Sequence, residues 1–382
     1  MTIDEISTRI IAIALYLDLL APGSVTEIWI DEQTIQKIKS ELPSGDAISA
    51  YIYETKLIIG KLTEKRRKKY LQEILHSLEY QIQHHAEKIP YETFSVHVFG
   101  VPIKRVTQKE LDSLQEIIST LEKKCGKSRM EVCNKYSIQE DQYVHKFNSY
   151  IQEIRQKLPS YIIPKNDLGF TVEVTHDKPW SAFNLHTQPF ASKLLLNADN
   201  NLTEIDLHRL ACHEAYGGHH SELCNKDGLL TEQKRGEHGL VITFSPQVFV
   251  SEAIAEGIFQ LLKVLDTSNS AHCISWHYTR LIFALQNLSS FMYFDDGLSR
   301  DEIDEILKQY AVSDDTRSGI LNFSCDPIYG KYAPVYFSAY NFIEKLYSQT
   351  PDKKKLLDTL FFQPCTPSIL QMEFNITIEE SE

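Results

Sequence analysis

No C-x-x-C pair occurs among the seven cysteines of this chain, and their number is odd. A disulfide framework is therefore not expected, and the thiols read as free in a reducing compartment. No apolar run reaches the length of a membrane span. Basic residues are in deficit: 39 Lys and Arg face 52 Asp and Glu, a net charge of −13. Such a chain repels nucleic acid and anionic membranes, so neither is expected as a partner. The densest basic patch, EKRRKK at 64–69, lies in a helical pattern and reads as a solvated face. There is no internal repeat and no low-complexity linker. CGKS at 125–128 lacks the earlier glycine of a phosphate-binding loop, with Leu121 in its place. The apolar stretch IIAIALYLDLLA follows Asp4 and Glu5, contains Asp18 and meets no convincing cleavage site. A core helix is expected there rather than a signal peptide, and a cytoplasmic protein overall.

What is present is an ordinary globular balance, 42% hydrophobic and 24% charged over 382 residues, with ample length for a core. Helical periodicity runs near 5–20, 31–42, 46–60, 64–87, 107–124 and 128–157. TFSVHVFGVPI forms a short strand-like insert. After Pro164, GFTVEVTH and SKLLLNAD (192–199) read as strands. Helical patterns return near 202–216, 246–265, 270–294, 299–310 and 331–348. These patterns predict a mainly α, α+β fold: a helical region over 1–164 and a second region with a small sheet over 165–382, as two units or one continuous domain. SKLLLNAD reads either as an edge strand able to pair with an extended substrate or as a plain core strand.

Immediately after that strand comes ACHEAYGGHHSE, residues 211–222. A hydrolytic zinc site needs about three protein ligands, an open position for water and a nearby carboxylate to take a proton. In H-E-x-x-H the two histidines share a helix face because they are four residues apart. Here His213 and Glu214 supply the opening pair, but Gly217 stands where the second His belongs, and His219 and His220 follow. On an unbroken helix His219 falls on another face, and His220 lies roughly 10 Å along the axis. The Gly217-Gly218 pair can break the helix and bring one of them back beside His213. A further ligand is offered by SEAIAEG at 251–257, where Glu252 and Glu256 are four apart on an otherwise apolar helix. Buried carboxylates there call for a cation or donors. One can bind the metal while the other holds a ligating imidazole by its second nitrogen.

HEAYGGHH resembles the HEAYPGHH-type motif of the bacterial family "domain of unknown function 885", grouped with the gluzincin metallopeptidases. SEAIAE is similar to the glutamate helix N-E-A-I-S-D of thermolysin-like peptidases, where the first acid binds zinc and the second supports a histidine. GKYAPVYFSAY at 330–340 is similar to the G-Y-x-x-x-Y-Y helix of thimet-type oligopeptidases, whose tyrosines bind the oxyanion. The resemblance covers about 165–350, with two departures from the unknown-function family: Gly217 replaces its proline, and its E-G-W-A segment aligns with either Glu252 or Glu256.

The resemblance implies a gluzincin-like zinc metallopeptidase hydrolysing peptides. One zinc ion would be held by His213, His219 and Glu252, with His220 and Glu256 as supporting groups or alternative ligands. Glu214 would activate water and then protonate the leaving amine. Tyr332 and Tyr336 match the oxyanion-binding positions, although aromatics at helical spacing also serve cores. His277 and Arg280, in SWHYTR, are candidates to assist there or to grip a peptide carboxylate. The competing readings are a metal-dependent hydrolase of a non-peptide amide or ester, and an inactive helical protein that only binds peptides.

Overall fold

The computed structural model describes residues 2–266, 268–310 and 312–376. Helices dominate, with two small sheets, so the fold is mainly α, α+β as expected. The first half holds α1 (Glu5–Leu20), β1 (Val25–Ile28), α2 (Glu32–Ser40), α3 (Ile48–Gly60), α4 (Lys65–His84), α5 (Tyr91–Phe99), α6 (Gln108–Cys125), α7 (Arg129–Lys135) and α8 (Tyr143–Lys157). Then come β2 (Gly169–Thr175), β3 (Ala182–Gln188), β4 (Ala191–Asn197), α9 (Glu204–Glu214), α10 (His219–Thr231), β5 (Leu240–Ile242) and α11 (Pro246–Leu261). The chain continues through α12 (Ser270–Phe294), α13 (Arg300–Leu307), α14 (Asp314–Ser324), α15 (Ala333–Gln349), α16 (Lys353–Phe362) and α17 (Pro367–Phe374).

The apolar N-terminal stretch is a core helix. Asp4 caps α1 by accepting from the Ser7 amide, and Ile10, Ile11, Ile13 and Ala14 are fully buried. This core takes in Leu223, Leu230, Leu240, Ile242 and Ile369 from the second half of the chain. β1 also pairs antiparallel with β5, so segments on both sides of residue 164 share a sheet. One basic residue of the 64–69 patch is not solvated. Arg67 is buried and pairs with Asp4 at 2.6 Å and Glu237 at 2.8 Å, tying α4 to the start of α1.

Two strand readings need correction. TFSVHVF is not a strand but most of α5. Its alternation is overridden by a helical face of Tyr91, Ser95, Val98 and Phe99, all buried, and Gly100 ends the helix in the left-handed region at φ 77°. SKLLLNAD is not an edge. The sheet order is β2-β4-β3, with β2 parallel and β3 antiparallel to β4, so the SKLLLN stretch of β4 has backbone partners on both sides. Among the described residues, the edge left unpaired on the site's side belongs to β3, which joins β4 through a tight hairpin.

Candidate metal centre

The site is assembled where α9 stops, α10 starts and α11 passes beneath. Thr203 and Asp206 form a capping box at the start of α9, and Leu207, Leu210 and Ala211 bury its apolar face. The last two residues of α9 are His213 and Glu214. Ala215 then leaves helical geometry, Gly217 takes φ 101°, and Gly218 precedes the first residue of α10, His219. Gly218 must be glycine: a Cβ there would lie 1.7 Å from the His213 carbonyl oxygen. The helix break expected of the Gly-Gly pair is thus present, and it returns His219 to His213. Proline is fixed near φ −65°, so the Gly217 backbone is one that the proline of the resembling motif cannot adopt.

The two Nε2 atoms of His213 and His219 stand 3.2 Å apart. Glu252, on α11, places Oε2 3.6 Å from the first and Oε1 3.7 Å from the second. Glu214 Oε1 lies 3.9 Å from His213 Nε2. The opposite ring nitrogens are both held. His213 Nδ1 meets Glu256 Oε1 at 3.0 Å, and that carboxylate also takes Arg209 at 3.0 Å. His219 Nδ1 meets Ser251 Oγ at 3.1 Å, while Ser251 donates to Glu222, which pairs with Lys226 at 2.5 Å.

These supporting contacts set the tautomers. Ser251 spends its proton on Glu222, so it accepts from His219 Nδ1–H, and His219 Nε2 presents a lone pair. Glu256 Oε1, 3.0 Å from His213 Nδ1, draws that ring's proton to the Nδ1 side by its charge. Two neutral rings so fixed aim lone pairs at each other, an arrangement that needs a cation between or beside them. A proton on His213 answers the same need. Burial pulls the His213 ring down, but Glu256 and Glu214 outweigh it and hold the ring at about 9. Burial and the neighbouring His213 keep His219 well below its usual value. Glu256 is disfavoured by burial yet is held at about 2 by Arg209 and His213. Burial raises Glu252 to about 7 and also pushes Glu214 up. Glu214 Oε2 and Glu252 Oε2 are buried with no hydrogen-bond partner among the described residues. His213, Glu214 and His219 bring ligand atoms within 4.8 Å of one another, and with Glu252 beside both rings the donors are of the type that holds a zinc-type cation.

The site opens into a cleft walled by β3 and the residues before it (Trp180, Phe183, Asn184), by β1 and β5, and by Tyr329, Tyr332 and Tyr336. Tyr332 donates to Glu252 Oε1 at 2.6 Å, so it holds the carboxylate. Tyr336 stacks on Phe283 with ring centres 5.2 Å apart, and its hydroxyl has no hydrogen-bond partner among the described residues. Asn184 on β3 donates to the Glu214 carbonyl at 2.6 Å.

Three of the sequence candidates lie elsewhere. His220 is fully buried and turned away, with Nε2 3.1 Å from Asp167 and Nδ1 2.8 Å from Ser192 Oγ. Arg280 donates to Asn341 at 2.6 Å and lies over the Tyr340 ring, and neither it nor His277 lines the cleft. His220 also belongs to a second cluster with His186 and Cys224. There every ring nitrogen is already matched: His186 meets Asp227 at 2.9 Å and Ser192 at 3.1 Å, and His220 meets Ser192 and Asp167. Such a network is complete without an ion. Asn184 and Glu27 join the cleft without any local signal in the sequence, while Ser251 opens the SEAIAEG segment beside Glu252.

No family model matches the chain, and no curated protein matches it. The resemblance to the HEAYPGHH-type family therefore rests on the motif residues alone. Among solved structures, the chain is similar to a protein from Colwellia psychrerythraea described as a lipoprotein. The two share 13% identity at a TM-score of 0.53, over 95% of this chain and 68% of the other. At that identity the likeness shows the fold alone. A structure described only as CHT covers 97% of this chain and 90% of its own at 12% identity, with a TM-score of 0.33 that carries no argument. Among the described residues no helix is long and apolar enough to cross a membrane.

Proposed function

We propose that this chain is a zinc-dependent metallopeptidase, with His213, His219 and Glu252 holding one zinc ion and Glu214 serving as general base and then general acid. The observation that carries the reading is the facing pair of imidazole Nε2 atoms 3.2 Å apart, each ring tied at Nδ1 to its own acceptor. When bound, zinc supplies Lewis acidity that polarises a carbonyl and makes water acidic enough to lose a proton near neutral pH.

The protein's own groups do the rest. Glu214 follows His213 directly, and its Oε2 is free to take a proton from water and later pass it to the leaving amine. Tyr336 offers an unengaged phenol to developing negative charge. Tyr332 and Glu256 position Glu252 and His213. Peptide is favoured over other amides because β3 offers an edge that no strand pairs among the described residues. His186 N donates to a side chain, Glu27, at 2.6 Å, so it points away from β4. Alternation in an antiparallel pair turns the Asn184 and Ala182 backbones the same way, and both residues line the cleft. An extended peptide adding to that edge would lie across the site.

The test combines metal analysis with a peptide panel. Purified protein dialysed with zinc is expected to hold close to one ion per chain and to cleave unstructured peptides, with cleavage abolished by chelator and restored by zinc. Zinc-loaded protein that cleaves esters or non-peptide amides but no peptide would overturn the substrate class.

A further inference from the structure

One carboxylate in the cleft has no part in the chemistry above. Glu27, on β1, is 8% exposed and lines the same cleft as His213, Glu214 and Glu252. Its Oε2 accepts from the His186 amide at 2.6 Å. Its Oε1 has no hydrogen-bond partner, and no Lys, Arg or His pairs with it, among the described residues. Burial without a counter-charge raises this carboxyl to about 8, despite the His186 amide, and the Glu214 charge adds to the rise. A buried acid with one donor costs stability. A glutamine or a leucine could occupy the same space without that cost, which points to a ligand that supplies the missing charge.

Position says which ligand. The outward-facing residues of β3 run Ala182, Asn184, His186, and Glu27 occupies the last of them. Asn184 is the residue bonded to the Glu214 backbone, so the edge runs from beside the metal centre to Glu27. Two residues of strand span roughly 7 Å, the length of about two residues of extended peptide. The described lining carries Glu27, Glu214 and Glu252 and neither Lys nor Arg. The cleft thus lacks a partner for a C-terminal carboxylate and holds an unmatched one for an ammonium group.

We propose that Glu27 receives the free α-ammonium of a peptide lying along β3, so that cleavage falls one or two residues from the N-terminus. The inference rests on the metallopeptidase reading for its cleavage position, but not for the binding itself. The test is therefore made first on binding, with zinc-loaded Glu214→Gln protein, which is not expected to turn substrate over. Three probes are titrated calorimetrically: a leucine-initiated pentapeptide amide without charged side chains, its N-acetylated twin, and an N-acetylated twin beginning with lysine. The free peptide is expected to bind at least about 10-fold tighter than the acetylated one, and a Glu27→Gln change in the same background is expected to remove the difference. Because acetylation alters only the peptide, that comparison holds even if the double variant folds poorly.

Equal binding of free and acetylated peptide overturns the proposal, as does absence of binding by all three. Recovery of affinity by the lysine twin overturns it in favour of a side-chain pocket. A turnover arm on the unaltered protein separates the two claims. Cleavage of free and acetylated peptides alike, at internal bonds, would sink the Glu27 anchor and leave the peptidase standing. A free-amine preference in binding without any cleavage would support the anchor and overturn the peptidase.

Discussion

A single methyl group at Gly218 tests the geometry on which the site depends. The Cβ of Gly218→Ala would stand 1.7 Å from the His213 carbonyl oxygen, 2.5 Å from its carbon and 2.8 Å from the Cys212 oxygen. All three are backbone atoms, so no side chain can swing aside. The carbonyl must retreat by roughly 1.3 Å to reach the shortest tolerated contact, and overpacking on that scale costs about 1–3 kcal/mol or more. The end of α9 and the start of α10 must then separate, and they carry His213 and His219, whose Nε2 atoms sit 3.2 Å apart. Metal ligands need placement to within about 0.5 Å. Gly218→Ala is therefore expected to lower stability by about 2 kcal/mol or more and to weaken zinc binding about tenfold or more. Gly228→Ala, inside α10 with nothing within 4 Å, is the control. It is expected to gain roughly 0.5–1 kcal/mol from helix propensity. Urea melts and competitive zinc titrations of both variants are the assay. If Gly218→Ala melts and binds zinc like the control, the account of the helix break is wrong.

Glu256→Gln leaves every proposed ligand in place but removes the charge on His213 Nδ1 and the partner of Arg209; zinc affinity is expected to fall about 10–100-fold in a competition assay, and an unchanged affinity would deny it a supporting role. Glu214→Gln is expected to keep zinc at full occupancy while turnover drops by orders of magnitude, as followed by paired metal analysis and peptide assay. Glu27 supplies the pH dependence. Its carboxyl is raised to about 8 in the folded chain, above the ordinary glutamate value of 4.5, so the protonated acid's contribution is full below about pH 4.5 and is gone once pH has risen through about 8. Glu27→Gln is expected to gain in melting temperature relative to the unaltered protein as pH rises from about 5 to about 8 and to gain no more above that; a difference that stays flat over that range would mean Glu27 is not buried uncharged.

The helical texture and the motif were readable because their signals are local. Period 3.6, caps such as Thr203 with Asp206, and the glycine pair all act within a few residues. The failures came where tertiary partners decide. Nothing in SKLLLNAD tells how many strands flank it, and its placement in the centre follows from β2, which arrives from the other side. In TFSVHVF the alternation lost to burial at helical spacing against α4 and α11. The choice of His219 over His220 turned on the backbone at Gly217 and Gly218. Once the break resets the register, helix arithmetic across it no longer applies. Glu27 and Asn184 reach the site from β1 and β3, each with an unremarkable neighbourhood in sequence, whereas Ser251 stands beside Glu252 in SEAIAEG. Arg280 shows the converse: an arginine on an inward helix face, it was taken up by Asn341 and Tyr340 rather than by the cleft.

The central claim is that one metal ion sits between His213, His219 and Glu252, and a zinc titration of three variants addresses it most directly. The unaltered protein is expected to bind close to one zinc per chain. His219→Ala is expected to lose that binding, and His220→Ala to retain it, because His220 serves the saturated network with Ser192 and Asp167. Zinc binding that survives His219→Ala and disappears in His220→Ala would place the ion in the other cluster and contradict the account.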